Sequence, residues 1–226
     1  MVILLNNRSE TDTKTIHFTL VGSKDLLLIF TRNPELGKCK TRLADTIGDS
    51  AALEIYQFLL QHTAKITENL NMAKHVYYSE NIWKNDVWDD TNYAKKQQRG
   101  ADLGIRMANA FLEGFEAGFE KICIIGSDMF DLTQRDIEKA FLALDKNDFV
   151  IGPALDGGYY LLGMKKWAPN IFRNKDWGMA TVLKSTLNDL KNEKVSLLDP
   201  RNDIDTYDDI KGKKVFSPFI KHMKND

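Results

Sequence analysis

The chain has 226 residues, of which 43% are hydrophobic and 28% are charged, an ordinary composition for a globular protein that can bury a sizeable core. Its formal net charge of −1 at pH 7 excludes the basic excess of a non-specific nucleic-acid binder, so an anionic ligand must be held by local basic groups. No apolar run reaches the length of a membrane span, the apolar start is too short for a signal peptide, and two cysteines make no disulfide framework. We expect a cytoplasmic protein, and the sequence carries no signal for its oligomeric state.

The two ends of the chain differ in character from its middle. Residues 1–25 form a polar extension, residues 26–211 carry the alternating apolar pattern of one domain, and residues 212–226 form a basic tail. The tail is expected at the surface, where chain ends usually lie. Within the extension, alternation of apolar and polar residues favours a short edge strand. The apolar members of this alternation are Ile16, Phe18 and Leu20.

A loop rich in basic residues follows the first predicted strand, which runs from Leu26 to Phe30. Its basic residues are Arg32, Lys38, Lys40 and Arg42. A basic loop after the first strand of an α/β sheet can wrap a diphosphate or triphosphate. The loop is not a Walker A motif, because the Gly-Lys-Ser/Thr order is missing, and no G-x-G-x-x-G stands elsewhere. Taken alone, the loop also fits a plain solvated surface.

Strands and helices alternate over the rest of the chain, a pattern that predicts an α/β sandwich built mainly on a parallel sheet. The segment 80–98 is polar and irregular, and it is expected to be a surface loop beside a binding face. The predicted helices span 51–70, 98–115, 133–145 and 179–191, and the further strands span 74–79, 121–126, 149–153, 159–163 and 194–198.

Two carboxylates, Asp128 and Asp131, follow the most apolar strand of the chain, which ends at Gly126. Ligands of open α/β sheets collect at the carboxyl ends of strands, so these acids stand where a site is expected. Carboxylates are hard oxygen donors and suit Mg²⁺ or Mn²⁺ carrying a phosphorylated substrate. The alternative is that both acids cap the next helix, whose predicted N-cap is Thr133.

Two later stretches also place acidic residues beside strand ends. Asp156-Gly157-Gly158 precedes a returning strand, and paired glycines let a backbone approach a ligand closely. A plain hairpin turn is an equally good interpretation, because Asp-Gly is common in hairpins. After the last strand, Asp203 and Asp205 add two more carboxylates.

Four stretches together resemble the DUF2064 family of the nucleotide-diphospho-sugar transferase (GT-A) superfamily, over residues 26–210. The resemblance implies a GT-A-like three-layer α/β/α sandwich with a mainly parallel, Rossmann-like sheet, a nucleotide half and an acceptor half. The family pattern usually has Cys-Pro where this chain has Met129-Phe130, and Trp-Ser where it has Trp177-Gly178. The matching stretches are 28–43, 126–132, 152–161 and 203–206.

The resemblance also implies roles for individual residues. Asp128 would hold Mg²⁺ or Mn²⁺ with Asp205 as second ligand, and Asp131 is the alternative second ligand. Asp128 and Asp156 are the expected catalytic acids, with Asp156 positioning or deprotonating the acceptor hydroxyl. The residues expected to bind nucleotide and phosphate are Arg32, Lys40, Thr41, Arg42, Gly126 and Ser127. Those expected to bind the acceptor are Gly157, Gly158 and Tyr159.

The function predicted from the sequence is a metal-dependent transferase that binds a nucleotide-diphospho-sugar and passes the sugar to an unknown acceptor. The first alternative is a nucleotidyltransferase, in which a sugar phosphate or phosphoacid attacks an NTP and pyrophosphate leaves. The second is a nucleotide-binding protein without turnover. A haloacid-type phosphatase is disfavoured, because the spacing here is Asp-x-x-Asp-x-Thr in mid-chain rather than Asp-x-Asp-x-Thr near the first strand.

Overall fold

The computed structural model describes residues 23–224, and the strand expected around Ile16, Phe18 and Leu20 lies outside them. The strands are β1 (Asp25–Thr31), β2 (Ala73–Tyr78), β3 (Ala94–Gln97), β4 (Lys121–Gly126), β5 (Phe149–Pro153), β6 (Tyr159–Met164) and β7 (Val195–Leu197). The α-helices are α1 (Thr41–Ile47), α2 (Asp49–Thr67), α3 (Leu103–Glu116), α4 (Gln134–Lys146), α5 (Val182–Asp189) and α6 (Tyr207–Ile210). Short 3₁₀ turns cover Pro169–Phe172, Lys214–Phe216 and Lys221–Lys224.

The seven strands form one sheet in the order β3-β2-β1-β4-β6-β5-β7. All neighbouring pairs are parallel except those of β6, which runs antiparallel to both β4 and β5. β6 reverses because it returns from β5 through a tight turn, as the hairpin interpretation of Asp156-Gly157-Gly158 predicts. Helices lie in the connections from β1 to β2, β3 to β4, β4 to β5 and β6 to β7, whereas β2 and β3 are joined by the irregular segment 79–93.

Apolar side chains project from both faces of the sheet, and helices pack against each face. On β1, Leu27 and Ile29 pack into one core cluster and Leu26 and Leu28 into another, as the two-residue period of a strand demands. The first cluster includes side chains of α2 and α4, and the second includes side chains of α3. The predicted three-layer α/β/α sandwich with a mainly parallel, Rossmann-like sheet is therefore confirmed.

The C-terminal segment packs into a third apolar cluster instead of lying wholly at the surface. Phe216 is fully buried, with its ring 5.8 Å from Phe58 and 5.2 Å from Phe130. The prediction of a surface tail from residue 212 is wrong at this point. Burial of the Phe216 side chain contributes about 2–3 kcal/mol to the stability of the fold. The lysines that precede it in the tail can keep their charged ammonium groups in water.

The segment 80–98 is more ordered than its polarity predicts. Its last residues form β3, the edge strand of the sheet, and Trp88 and Tyr93 are 2% and 4% exposed. The indole of Trp88 packs edge-on against Tyr93 at 5.2 Å. Two aromatic anchors thus fold a polar stretch onto the sheet, so the prediction of a surface loop beside a binding face is wrong where the segment forms β3 and buries these two rings. Among the helices of residues 23–224, none has the length and hydropathy that crossing a bilayer requires.

Candidate functional site

The candidate site lies at the edge of the sheet where β1 and β4 end side by side, with Phe30 opposite Gly126. This register brings the basic loop after β1 next to Ser127 and Asp128, which follow β4. The arrangement is the one expected for a ligand site in an open α/β sheet. Thr133 caps α4 by accepting a hydrogen bond from the Asp136 backbone N–H at 3.3 Å, so the helix does not need Asp128 as its cap.

A buried tyrosine ties the two loops together. The Tyr56 hydroxyl accepts a hydrogen bond from the backbone N–H of Arg32 at 2.9 Å and lies 3.2 Å from the hydroxyl of Ser127. Burial, partly offset by these hydrogen bonds, raises the pKa of Tyr56, so the hydroxyl stays protonated. The sequence indicates Tyr56 only as an apolar position of α2, and only the tertiary structure shows that its hydroxyl fixes both loops.

Lys40 reaches the acids of the site from the basic loop. Its ammonium donates to Asp128 Oδ2 at 2.9 Å and lies 3.9 Å from Asp205 Oδ1, and its side chain is only 7% exposed. Burial by itself would lower the pKa of Lys40, but Asp128, Asp205 and Asp203 outweigh it and raise the pKa above its ordinary value. Lys40 is therefore a charged group held among carboxylates.

The backbone of Lys40 is also unusual. It has φ 52° and ψ 43° and stands immediately before α1. Non-glycine residues seldom adopt this left-handed conformation, which costs about 1–2 kcal/mol. Strain of this kind persists only where the surroundings enforce it, and it collects at sites that have a function.

Asp128 and Asp205 come together as the sequence predicts, although 76 positions separate them. Because both lie on one ammonium, their nearest oxygens are no more than about 6.8 Å apart, the sum of the two contact distances. The Arg42 guanidinium donates to the second oxygen of Asp205 at 2.9 Å. Within residues 23–224, no group of three or more His, Cys, Asp or Glu side chains is placed to hold a metal ion.

Asp203 is a further acid of the site, and the sequence places it after the last strand without marking it as a site residue. Burial, followed by the negative charge of Asp128, raises its pKa to about 6, and Lys40 only partly opposes this. The negative charges of Asp156 and Asp205 also raise this pKa, with smaller effects. Asp203 is half-buried next to the fully buried Ile204, whose N–H donates to the Asp128 carbonyl at 3.3 Å, so the last loop is held against the loop after β4.

The larger of two adjoining cavities, about 500 Å³, is polar and predominantly cationic. Four cationic side chains line it, and two carboxylates stand opposite them. The cationic residues are Arg32, Lys40, Arg42 and Arg106, and the acids are Asp128 and Asp205. Arg106 comes from the first turns of α3, a contribution that the sequence does not signal.

The smaller cavity, about 250 Å³, has the opposite charge. Three carboxylates line it together with aromatic and aliphatic side chains, and within the described part of the chain its lining includes no Lys, Arg or His. The carboxylates are Asp128, Asp156 and Asp203. Trp177 contributes one wall and meets Tyr159 edge-on at 6.5 Å. Asp128 borders both cavities and so marks the junction between them.

The structure brings most of the predicted site residues to these two cavities. Gly157 and Asp131 line neither of them. Gly157 has φ +90°, and a Cβ there would stand 2.3 Å from the Ala180 carbonyl oxygen, so it serves a tight turn. Asp131 faces Lys213 at 3.7 Å. The predicted residues on the larger cavity are Arg32, Lys40, Thr41, Arg42, Gly126, Ser127, Asp128 and Asp205, and those on the smaller one are Gly126, Asp128, Asp156, Gly158 and Tyr159.

A comparison with protein families decides the relationship of the chain. The model of the family described as "Uncharacterized protein conserved in bacteria (DUF2064)" matches residues 62–179, just over half of the chain. The chain belongs to the DUF2064 family. The matched region holds Asp128, Asp156 and Trp177, whereas Lys40 and Asp205 lie outside it. No protein of curated function matches the sequence.

Solved structures similar to this DUF2064 protein include a proposed nucleotide-diphospho-sugar transferase from Desulfovibrio desulfuricans. That structure has a TM-score of 0.80 and 28% identity, with 90% of this chain and 96% of that chain covered. A CMP:2-keto-3-deoxy-manno-octonic acid synthetase complexed with CTP gives a TM-score of 0.52 at 10% identity, covering 88% and 100%. The 4-diphosphocytidyl-2C-methyl-D-erythritol synthase of Anaerococcus prevotii gives 0.52 at 9% identity, covering 89% and 97%. The last two similarities concern the fold alone.

Proposed function

We propose that this DUF2064 protein is a nucleotide-dependent transferase, and more specifically a divalent-metal-dependent transferase of the sugar of a nucleotide-diphospho-sugar. One observation carries the proposal: a cationic cavity and an acidic cavity adjoin at Asp128. A nucleotide-diphospho-sugar has the matching division of charge, since its diphosphate is anionic and a simple sugar is neutral. The bond that a sugar transferase breaks lies between those two parts.

The cationic cavity suits the nucleotide. Arg32, Arg42 and Arg106 can each bind phosphate oxygens through more than one N–H, which favours arginine wherever phosphate is recognised. The cavity has room for more than a phosphate group alone. The resemblance in fold to a synthetase complexed with CTP supports a nucleotide as the ligand.

The acidic cavity suits an uncharged group and opposes an anionic one. Asp156 and Asp203 offer acceptor oxygens to sugar hydroxyls, and the rings of Tyr159 and Trp177 offer apolar faces to the ring of a sugar. A phosphorylated acceptor would meet three carboxylates with no cation on that side, among the residues that the structure describes. This charge distribution favours sugar transfer over a nucleotidyl transfer in which a sugar phosphate or phosphoacid attacks.

The acids present fit a divalent cation. Asp128 and Asp205 are hard oxygen donors near one another, and Asp203 adds negative charge that the one ammonium of Lys40 does not balance. Mg²⁺ is usually held by one or two carboxylates together with substrate phosphates, so two protein acids suffice for this mode. Asp128 and Asp205 would hold the ion, and the bound ion would offset the charge that develops on the diphosphate as the bond to the sugar breaks.

The remaining residues bind, orient and accept a proton. Lys40 and Arg42 are placed to share the charge of the leaving diphosphate. Asp156 lies on the acidic cavity at the far side of the junction, where its carboxylate can take the proton of an acceptor hydroxyl. The hydrogen bond from the Gly158 N–H to Asp156 Oδ1, at 2.8 Å, fixes the carboxylate at the turn.

Nucleotidyl transfer is the second candidate, because four basic side chains also suit a triphosphate. The two candidates differ in the ligands that they bind. In a thermal-shift panel of UDP, GDP, CDP, ADP, their sugars and the four NTPs, at least one NDP-sugar should stabilise the protein with Mn²⁺ and not with chelator. A ligand at a hundred times its dissociation constant stabilises by about 2.7 kcal/mol, which is roughly 5–10 °C for a domain of this size.

Arg42→Ala tests whether the panel reports on the cationic cavity. Loss of a charge-assisted hydrogen bond should weaken nucleotide binding about tenfold or more. Lys38→Ala is the matched control, because Lys38 belongs to the same loop, pairs with Glu35 at 2.7 Å and lines neither cavity. If no nucleotide shifts the melting temperature with metal present, the proposed function is wrong.

A further inference from the structure

The ammonium of Lys40 stands where the proposed site needs a cation. It contacts Asp128 Oδ2 at 2.9 Å and lies 3.9 Å from Asp205 Oδ1, and these are the two acids proposed above to hold a divalent ion. We propose that Lys40 acts as a built-in cation that occupies this position until a nucleotide binds, so that the metal enters only together with the nucleotide. The proposal rests on the proposed function and adds an order of binding to it.

The burial of Lys40 prevents a divalent ion from sharing the two carboxylates with its ammonium. The Lys40 side chain is 7% exposed, so little water separates its charge from the two carboxylates. A divalent ion placed between the same oxygens would come within a few ångströms of the ammonium, and like charges at that distance in a partly buried site repel strongly. Lys40 and the metal therefore cannot hold both acids at once.

The structure also offers the Lys40 ammonium a second position, in the cationic cavity. Its backbone is fixed in the left-handed conformation, and its carbonyl accepts the Ala44 N–H at 2.8 Å as α1 begins. The side chain itself is long and has several rotatable bonds, and it lines the cationic cavity. A diphosphate bound in this cavity would be a new anionic partner for the ammonium, which could reach it by rotation about the side-chain bonds. This rotation would release Asp128 and Asp205.

Arg42 differs from Lys40 in its exposure and in its contact with the two acids. Its side chain is 72% exposed and contacts Oδ2 of Asp205, whereas Lys40 lies near Oδ1, so Arg42 does not fill the space between the two acids. Lys38 is exposed and paired with Glu35. Among these three neighbouring cations of the loop, Lys40 is the one that the fold places between the carboxylates.

The test measures binding of Mn²⁺ alone, by calorimetric titration, to the wild type, Lys40→Met and Lys40→Gln. Both variants remove the ammonium, and each should bind Mn²⁺ at least about tenfold more tightly than the wild type, because one like charge has gone from the ion's position. Lys40→Gln keeps a donor for Asp128, which guards against a variant that fails to fold. Lys38→Met, the matched control, should bind Mn²⁺ as the wild type does.

A second substitution locates the ion. Adding Asp128→Asn to Lys40→Gln should abolish the gain in Mn²⁺ affinity. If Lys40→Met and Lys40→Gln fold and bind Mn²⁺ no more tightly than the wild type, Lys40 is a permanent ion pair and the proposal is overturned. Failure of the proposed function is a separate result: wild type with Mn²⁺ would then bind no member of the nucleotide panel, whatever the Lys40 variants do with Mn²⁺ alone.

Discussion

The raised pKa of Asp203 reflects its burial and the negative charges that surround it in the candidate site. Its carboxyl is partly buried beside Asp128, with Asp156 and Asp205 nearby, and its pKa is raised to about 6. The sequence places Asp203 after the last strand, yet it gives no way to rank this acid against Asp205 two positions later. The ranking depends on how deeply each side chain is buried, which is a property of the folded loop.

Replacement of Asp203 by Asn should stabilise the metal-free protein. A carboxyl whose pKa is higher in the folded state than in the unfolded state costs stability once it ionises, so the cost grows as the pH rises from about 4 to about 6 and is complete above that. With allowance for partial solvent screening, the free energy of unfolding of Asp203→Asn at pH 7.5 in EDTA should exceed that of the wild type by roughly 1 kcal/mol. Urea unfolding measures it.

The comparison across pH makes this prediction specific. The advantage of Asp203→Asn should shrink as the pH falls from 7.5 toward 4, because the carboxyl of the folded wild type becomes protonated over this range. Asp199→Asn, at an exposed acid four residues earlier, should change the stability little at any pH. An Asp203→Asn protein less stable than the wild type at pH 7.5 would show that the charge of Asp203 is compensated in the fold.

Individual elements were predictable where their pattern is local. The apolar run of β4 and its Lys and Gly boundaries identify a buried strand, and Thr133 identifies the start of α4. The edge strand β3 and the buried Phe216 were missed, because their sequences are polar and basic. Both are held by contacts with residues far away along the chain, which no periodicity records.

The strand β2 contains a half-buried histidine, His75, that should make the fold sensitive to acid. Burial, followed by the charge of Lys96, lowers the pKa of His75 to about 3, and in the described residues its Nδ1 has no hydrogen-bond partner. Between pH 6.5 and 3 the unfolded chain binds a proton there and the folded chain does not, so stability falls as the pH falls. By pH 5 this loss amounts to about 2 kcal/mol.

The variant His75→Leu isolates that loss. The free energy of unfolding of the wild type should drop between pH 7 and pH 5 by about 2 kcal/mol more than that of His75→Leu. His222→Gln removes an exposed histidine and should keep the full wild-type drop. Equal pH dependence of wild type and His75→Leu would mean that His75 gains its proton in the folded state.

At the scale of the whole molecule, the main feature is the separation of charge between two adjoining cavities. The sequence predicts the fold, the family and the edge of the sheet where the loops meet, because strand alternation and four short motifs carry them. It does not predict that Lys40 sits between Asp128 and Asp205, nor that α3 supplies Arg106. Those facts follow from loop conformation and from the packing of elements distant in sequence.

The product released by the wild-type enzyme tests the proposed sugar transfer most directly. The protein is incubated with Mg²⁺ and the NDP-sugar that stabilises it best, and separately with Mg²⁺, the matching NTP and a sugar phosphate, and the products are separated by anion-exchange chromatography. We expect free NDP from the NDP-sugar, at least by slow transfer to water, and no pyrophosphate from the NTP. Release of pyrophosphate from the NTP, with the NDP-sugar left intact, would contradict sugar transfer.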